Sequence, residues 1–398
     1  MYQKILAGLD GSAWSNYAIE TAVSLAQKNA LTQLIGCHVY AAELHRERFE
    51  QMEPGLPEQY QAEEKLNSLR GTHESLITDG MVLISDSYLA PLLKKAQQQQ
   101  INVSGLIPEG KNYAVLLKEI STHQPDLTIL GAMGHGAVPE ARLGSLTERV
   151  LLFRKTSDLL ILRQPWNFKN RPIVVGIDGS QNSYLALTRA IQIAQAYQTS
   201  VEAVAVYDPF FHVGVFRVIA DALPEADQKR FDFPAQEQLH DEIIDKGLEK
   251  LYREGLERGV LLAEQMGVKI RIEVLAGKVY PQLHHYAQMR NAGLTVVGQT
   301  GLHWDPISLI GSNTLQLARI SNSNLLVVNP SKKQLEIPEL PKQEEVPLSW
   351  TPQAEERLKR IPFFARGMAK RSIEDQARQQ GLAEVTEAFV KEMRSMMK

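Results

Sequence analysis

Short apolar runs alternate along the chain with stretches in which apolar residues recur at helical spacing. The run "KILAG" from Lys4 leads into Asp-Gly-Ser and a helical pattern, and the run "PIVVG" from Pro172 does the same. Apolar runs of strand length that alternate with helical patterns predict parallel β-α units. Such units form an open sheet with helices on both faces. The predicted fold class is therefore α/β.

This series of elements occurs twice. "KILAGLDGSAWSNYAIE" parallels "PIVVGIDGSQNSYLALT", and four further predicted strands follow in each half. The last of them are "DLLILR" in the first half and "NLLVVNP" in the second. Asp10 and Asp178 are 168 residues apart, and Gly131 and Gly298 are 167 apart, so the register holds to within one residue. We expect two tandem open parallel five-stranded sheets.

Two long insertions and a tail lie outside the repeated strands. The insertions separate the second and third strands of each half and cover residues 41–100 and 208–267. The second is unusually aromatic, which is consistent with a packed helix and loop or with a lid or partner surface. The tail starts with a stretch rich in Pro, Lys and Glu, which is typical of a linker. The expected domains are 1–165 and 171–330, followed by a linker at 331–349 and a small helical module at 350–398.

Composition limits the class of protein without naming a function. Of the 398 residues, 44% are hydrophobic and 22% charged, with a net charge of −3, which is typical of a soluble globular protein. This charge gives no reason to expect nucleic acid or an anionic membrane as a partner. The amino terminus lacks the pattern of a signal peptide, and no apolar run approaches the roughly 18 residues of a spanning helix. We expect a cytoplasmic location and no membrane contact.

A glycine pattern follows the fourth strand of each half. It reads Gly-x2-Gly-x9-Gly-Ser and starts at Gly131 and again at Gly298. Glycine permits close backbone approach and positive φ, and successive N–H groups in such a turn bind anions. The Gly-Ser pair would open a helix whose N-terminus also favours an anion. The pattern predicts a phosphate-binding loop in each half, and Ser145 and Glu148 fit the spacing of a capping box.

The two predicted loops differ in charge. The first contains His135 and Arg142 besides Glu140, whereas the second has Asp305 as its charged group next to the titratable His303. An acidic loop attracts an anion less than one that carries an arginine. We therefore expect the first half to bind an anion more strongly than the second.

The strand-end aspartates and the repeated glycine pattern resemble the ATP-binding branch of the universal stress protein family. The resemblance covers roughly 1–163 and 171–330 and implies an adenine nucleotide alpha hydrolase-like fold. It further implies a regulatory role in the stress response, with ATP, alone or with Mg²⁺, as the ligand. The positions that match the family's binding residues are Asp10, Val39, Gly131, Gly134, His135, Gly144, Ser145, Leu146 and Thr147 in the first half, and Asp178, Val206, Gly298, Gly301, Gly311, Ser312, Asn313 and Thr314 in the second.

In the family pattern each of these groups has its own part. The aspartates lie beside the nucleoside, the backbone of Val39 and Val206 holds the adenine edge, and the glycines and hydroxyls surround the phosphates. Turn formation by Asp-Gly and simple helix capping by the hydroxyls remain open as alternatives. Because single-domain members pair through their last strands, we expect "DLLILR" to pair with "NLLVVNP" inside this chain. A homodimer is a further option.

The tail carries a second resemblance. Trp350, the stretch "RIPFFAR" at 360–366, Arg371 and Gly381 resemble the small C-terminal domain of the B subunit of light-independent protochlorophyllide reductase, as do Glu374, Ala377 and Thr386. The reductase's chemistry is not implied, because Cys37 is the single cysteine and no cluster ligands are present. The likeness implies a docking module, and we expect it to contact an unknown protein partner or the rest of the chain.

No catalytic residue is predicted. The histidines show no metal-ligand spacing, no G-x-S-x-G elbow occurs, and neither a general base nor an arginine finger is evident. We expect an ATP-binding regulatory protein with at most slow hydrolysis and no metal site of its own. One alternative is a slow ATPase or an adenylate-transferring enzyme of the same architecture. Another is a scaffold with vestigial nucleotide sites that acts through its C-terminal module.

Overall fold

The computed structural model describes residues 1–60, 62–138, 140–209, 218–219, 222–224, 245–305, 307–330, 334–341, 348–359, 361 and 363–396. The aromatic part of the second insertion lies largely outside these residues, so both interpretations of it stay predictions. The chain forms two compact units, Met1–Pro338 and Glu339–Lys398.

The first repeat contains the five predicted parallel strands. They are β1 (Lys4–Gly8), β2 (Gln33–Cys37), β3 (Asn102–Leu106), β4 (Leu127–Gly131) and β5 (Asp158–Leu162). The helices of this repeat are α1 (Ala13–Ala26), α2 (Ala42–Met52), α3 (Glu63–Gln98), α4 (Asn112–His123) and α5 (Ser145–Phe153). Two 3₁₀ turns, Glu53–Gly55 and Glu58–Tyr60, lie between α2 and α3.

The second repeat follows the same order. Its strands are β6 (Ile173–Gly176), β7 (Val201–Tyr207), β8 (Arg271–Ala276), β9 (Leu294–Gly298) and β10 (Asn324–Val328). Its described helices are α6 (Gln181–Tyr197), α7 (Asp245–Gln265), α8 (Val279–Met289) and α9 (Ser312–Ile320). The α/β class predicted from the alternating pattern is confirmed.

The two five-stranded sheets join edge to edge into one ten-stranded sheet. Its strand order is β3-β2-β1-β4-β5-β10-β9-β6-β7-β8. All neighbours within a repeat are parallel, whereas β5 and β10 pair antiparallel, with Leu160 opposite Leu326. The last strands thus pair as predicted, and neither is left as an exposed apolar edge. In each repeat the chain reverses its direction of winding between the first and fourth strands, and such switch points place a crevice at the strands' carboxyl ends.

The sheet separates two apolar layers that both run through the two repeats. Leu159 and Ile161 of β5 pack on one face together with Leu325 of β10. Leu160 points to the other face with Leu326. The alternation follows from the two-residue period of a strand, and both faces are apolar because helices cover both. The repeats therefore share a core.

A buried carboxylate reinforces the junction between the repeats. Asp158, at the start of β5, accepts hydrogen bonds from Tyr2 Oη (2.8 Å), Arg189 Nε (3.1 Å) and the Asn329 N–H (2.9 Å). Burial raises the pKa of Asp158, and the Arg189 guanidinium opposes that rise. Because Arg189 and Asn329 belong to the second repeat, one side chain ties both halves together.

Helix α3 departs from what the sequence led us to expect. It is long and apolar enough to meet the length and composition criteria of a membrane span, so the expectation that no such run exists was wrong. The acidic residues Asp79 and Asp86 interrupt the apolar run, so it was not recognised in the sequence. Leu76 is 68% exposed and Leu83 70% exposed. A single helix of this kind is weak evidence for a membrane span, since core helices of globular proteins pass the same criteria.

The C-terminal unit has an apolar core of its own. It comprises β11 (Ser349–Trp350), α10 (Pro352–Lys359), α11 (Phe363–Gln379), β12 (Glu384–Val385) and α12 (Glu387–Met396). The parallel pairing of β11 with β12 was not predicted. Gly381, with φ +68°, follows α11, as glycines that end helices commonly do. Its core cluster contains the buried residues Ala354, Ile373, Ala377, Val385, Phe389, Val390 and Met393.

Candidate functional site

In the second repeat Asp178 links two strand ends. It follows β6, and its Oδ1 accepts from the Ser180 N–H (3.0 Å) while Oδ2 accepts from the Leu302 N–H (2.8 Å) in the loop after β9. A β-carbon on Gly301 would lie 2.5 Å from Asp178 Oδ2. Only glycine therefore lets the loop approach the carboxylate this closely. The strand-end aspartate and the glycine loop therefore converge here.

Close packing against α6 requires a glycine at the first position of the loop. A β-carbon on Gly298 would lie 2.9 Å from Asn182 Nδ2 on α6. Thr314 Oγ1 donates to the Gly298 carbonyl (2.9 Å), which fixes the start of the loop against α9. The Thr314 hydroxyl thus serves the loop's own structure rather than standing free.

The loop ends at a helix start with unpaired donors. Gly311 is the N-cap of α9, and its N–H donates to the Gln299 carbonyl (2.8 Å). Among the described residues, no side chain caps this helix. The N–H groups of Ser312, Asn313 and Thr314 therefore lack intrahelical acceptors, as first-turn groups do. Together with the helix dipole they form a site suited to an anion.

These groups border a cavity of about 270 Å³. Asp178 and the glycine loop lie at one side, and Val206, Tyr252, Leu283 and Trp304 supply apolar and aromatic walls. Small-molecule pockets span roughly 300–1,000 Å³ and combine apolar walls with a few polar groups. The arrangement suits a ligand that has a flat, apolar part and an anionic part.

The first repeat has the same backbone framework. Asp10 Oδ1 accepts from the Ser12 N–H (3.0 Å), and Oδ2 accepts from the His135 N–H (3.3 Å). A β-carbon on Gly134 would overlap Asp10 Oδ2. The two aspartate–glycine contacts are therefore equivalent, although 124 and 125 residues separate the paired groups along the chain.

The predicted capping box is wrong. Gly144, not Ser145, is the N-cap of α5, and no side chain caps it. Glu148 therefore lies one residue too far along the helix to complete the box. It accepts instead from Arg319 Nε (2.9 Å) of α9, which links the helices that follow the two loops. Thr147 Oγ1 donates to the Gly131 carbonyl (2.7 Å), as its counterpart does in the second repeat.

Family comparison agrees with this geometry. The model of the universal stress protein family matches residues 1–154 and 169–329. The chain belongs to the universal stress protein family. The predicted tandem arrangement is thereby confirmed.

Individual relatives agree with the family match. Universal stress protein MJ0531 from Methanocaldococcus jannaschii is 29% identical over 164 residues, which is 41% of this chain and 85% of the relative. A universal stress protein structure from Archaeoglobus fulgidus matches with a TM-score of 0.50 and 14% identity, covering 83% of this chain and 97% of the other. A putative universal stress protein from Pseudomonas aeruginosa matches with a TM-score of 0.53 and 13% identity, covering 83% and 94%. At these identities the structures establish the fold.

The tail matches a different family. Residues 350–394 fit the model described as the proto-chlorophyllide reductase 57 kD subunit. The predicted resemblance of the tail is confirmed, and the matched region lies within the C-terminal unit 339–398.

The two repeats of this universal stress protein differ at the crevice. In the first repeat, ring atoms of Tyr88 from α3 stand where a β-carbon on Gly11 would be. The His38 ring meets the Tyr88 ring edge to face at 5.0 Å between centroids, and the His135 ring lies 6.0 Å from it. His38 Nδ1 is 2.6 Å from the Leu9 carbonyl oxygen, which fixes the ring beside the strand end. This aromatic cluster was not predicted.

In the described part of the second repeat, no ring stands at the corresponding point. Helices α3 and α7 end at Gln98 and Gln265, 167 residues apart, so Gly255 corresponds to Tyr88. A β-carbon on Gly255 would lie 3.9 Å from Gly179 Cα, which places α7 against the same turn. Among the described residues nothing lies within 4 Å of a β-carbon built on Gly179. A comparison of the two insertions in the sequence could have revealed this difference.

The remaining predicted residues fall into two groups. Val206 and Asn313 line the second-repeat cavity. Val39 is buried beyond the end of β2, and Leu146 is half-buried against the core.

Cys37 lies outside any reactive site. It is buried in β2, and burial raises the pKa of its thiol to about 12, with the Glu119 carboxylate adding to the rise. A thiol with so high a pKa is not a nucleophile at neutral pH. Cys37 is therefore a core residue.

Proposed function

We propose that this tandem universal stress protein binds ATP in the cavity of its second repeat and acts as a nucleotide-responsive regulator. The observation that carries the proposal is the shared border of the cavity: the strand-end Asp178, the glycine loop and the uncapped start of α9. A nucleotide needs a polar contact for its ribose, donors for its phosphates and apolar walls for its base. The cavity offers all three within one crevice.

Each part of ATP has a matching group. Asp178 keeps lone pairs beyond its two backbone hydrogen bonds, and these suit the ribose hydroxyls. The first-turn N–H groups of Ser312, Asn313 and Thr314 suit phosphate oxygens. The backbone at Val206 and the walls around it suit the adenine ring. Mg²⁺ would arrive with the nucleotide, held by phosphate oxygens and water.

The same cavity gives little support for fast hydrolysis. Its described lining contains no lysine or arginine that could stabilise charge on a transferring phosphoryl group. Both oxygens of Asp178 accept backbone N–H bonds, which favours a structural carboxylate over a general base. The proposal is therefore for binding, with at most slow turnover.

Calorimetric titration of the full-length chain with ATP tests this proposal. Asp178→Ala removes the ribose partner and is expected to weaken affinity by about tenfold or more. Asp10→Ala is the matched control, because it removes the equivalent carboxylate from the first repeat. Absence of ATP binding by the wild-type chain would reject the nucleotide role, and equal affinity of Asp178→Ala and wild type would reject the cavity as its place.

The C-terminal unit is a second candidate site of function. Its buried core and its match to a second family support a docking module, as the sequence predicted. We propose that residues 339–398 contact a partner protein. This role does not depend on the nucleotide and corresponds to the scaffold alternative.

A further inference from the structure

We infer that the two repeats are unequal: Tyr88 closes the crevice of the first repeat, and the second repeat alone takes the nucleotide. The inference rests on the proposed function, because it concerns where that nucleotide binds. It also reverses the ranking that the charges of the two loops suggested.

The Tyr88 ring stands at the meeting point of three strand ends. It covers Gly11 after β1, contacts the edge of the His38 ring after β2, and lies beside His135 after β4. These three segments are the walls of a crevice at the switch point of a parallel sheet. A ring packed among them occupies the volume that a nucleoside would need, beside Asp10.

At the equivalent positions, all of which the structure describes, the second repeat has none of these three rings. His38 directly follows the residue paired with Gly8 in β1, and Ala205 directly follows the residue paired with Gly176 in β6, so Ala205 takes the place of His38. Leu302 takes the place of the loop histidine, directly after the second glycine of its loop. A glycine replaces the tyrosine, as described above. The cavity lies in the repeat where Ala205, Gly255 and Leu302 take the places of these three rings.

Steric closure outweighs the charge of the first loop. Arg142 is exposed, and an exposed charge attracts an anion only weakly through water. Overlap with a packed ring excludes the nucleoside unless the ring moves and gives up its aromatic contacts. The difference in side-chain volume between Tyr88 and Gly255 therefore decides which repeat binds the nucleotide.

Calorimetric stoichiometry of the full-length chain with ATP tests the inference. Wild type is expected to bind one ATP per chain, and Tyr88→Ala is expected to bind two. Gly255→Tyr is expected to keep a single site whose affinity for ATP is at least about tenfold lower than in wild type. Tyr88→Phe keeps the ring and is the matched control, with one ATP expected. Two sites in wild type, or a single site in Tyr88→Ala, would overturn the inference.

Photolabelling with 8-azido-ATP provides a second test that needs no variant. Label confined to peptides of residues 171–330 supports the inference. Label in both 171–330 and 1–165 overturns it while leaving the proposed function intact, and label confined to 1–165 rejects the second-repeat cavity as the site. No label and no heat in any titration would reject the proposed function itself, and the inference with it. The two failures are therefore distinguishable.

Discussion

At the scale of single residues, glycines set how closely the loops approach the aspartates. A β-carbon on Gly301 would lie 2.5 Å from Asp178 Oδ2, and one on Gly134 would overlap Asp10 Oδ2. The two positions thus have the same structural reason for glycine. The proposed function gives one of them an additional reason, since the ligand would contact only the second loop.

Gly301→Ala is expected to weaken ATP affinity by about tenfold, because the methyl group displaces the loop from Asp178. Gly134→Ala introduces the same strain in the first repeat and is expected to leave ATP affinity unchanged. Titration of both variants, with thermal melting to confirm that each is folded, measures the difference. Equal losses in the two variants would contradict the assignment of the cavity.

Glu202 provides a prediction about pH. It is 4% exposed in β7 and accepts from Arg290 Nε (2.9 Å), Arg290 Nη2 (2.6 Å) and Tyr286 Oη (2.9 Å). Burial alone would raise the pKa of Glu202, but the hydrogen bonds from Arg290 and Tyr286 outweigh it and lower the pKa below its ordinary value. The ionised form therefore stabilises the fold above the unfolded pKa of about 4.3, and this stability is lost as the pH falls through the lower folded value.

Glu202→Gln is expected to lower the free energy of unfolding at pH 7 by about 2 kcal/mol, less than for a fully buried pair because Arg290 is 37% exposed at its side chain. Stability of the variant should also fall less steeply than that of wild type below about pH 4.3. Urea unfolding across pH measures both effects. Glu273→Gln, in an exposed pair with Arg271, is the control. Parallel pH profiles for Glu202→Gln and wild type would refute the assignment.

At the scale of elements, the pairing of β5 with β10 makes the repeats one folding unit. Asp158 lies where β5 and β10 pair and has partners from the second repeat.

Asp158→Ala is expected to lower the free energy of unfolding by about 3 kcal/mol, because it leaves Arg189 and Tyr2 without their acceptor. Denaturant unfolding checks this. Glu148→Ala, which breaks the more exposed pair with Arg319, should change stability by less than about 1 kcal/mol. Similar losses of unfolding free energy in Asp158→Ala and Glu148→Ala would contradict the stabilising role of the buried Asp158.

The same elements separate what sequence could predict from what it could not. Apolar runs and glycine spacing are local patterns, and they correctly placed the strands and the loops after β4 and β9. The helix start at Gly144 depends on which residue adopts the capping conformation, so a spacing rule misplaced it. The Tyr88 ring reaches the crevice from an insertion whose packing is set by distant contacts with β2 and β3. Local patterns do not reveal such contacts.

At the scale of the whole molecule, the tail divides from the repeats after Pro338. Leu335 and Ile337 still pack against the core of the repeats, so the cut belongs beyond them. Removal of residues 339–398 is expected to leave ATP affinity within about twofold of wild type while abolishing a partner interaction or changing the oligomeric state. Titration and light scattering measure this. Loss of nucleotide binding or unfolding of the repeats would show that the tail belongs to their core.

Whether the second-repeat cavity holds ATP can be measured by mass spectrometry of the nucleotide released from purified full-length protein. After incubation with a mixture of nucleotides and removal of free ligand, we expect about one ATP per chain for wild type and a large reduction for Asp178→Ala. Wild-type protein that releases no adenine nucleotide, or Asp178→Ala protein that releases as much ATP as wild type, would contradict it.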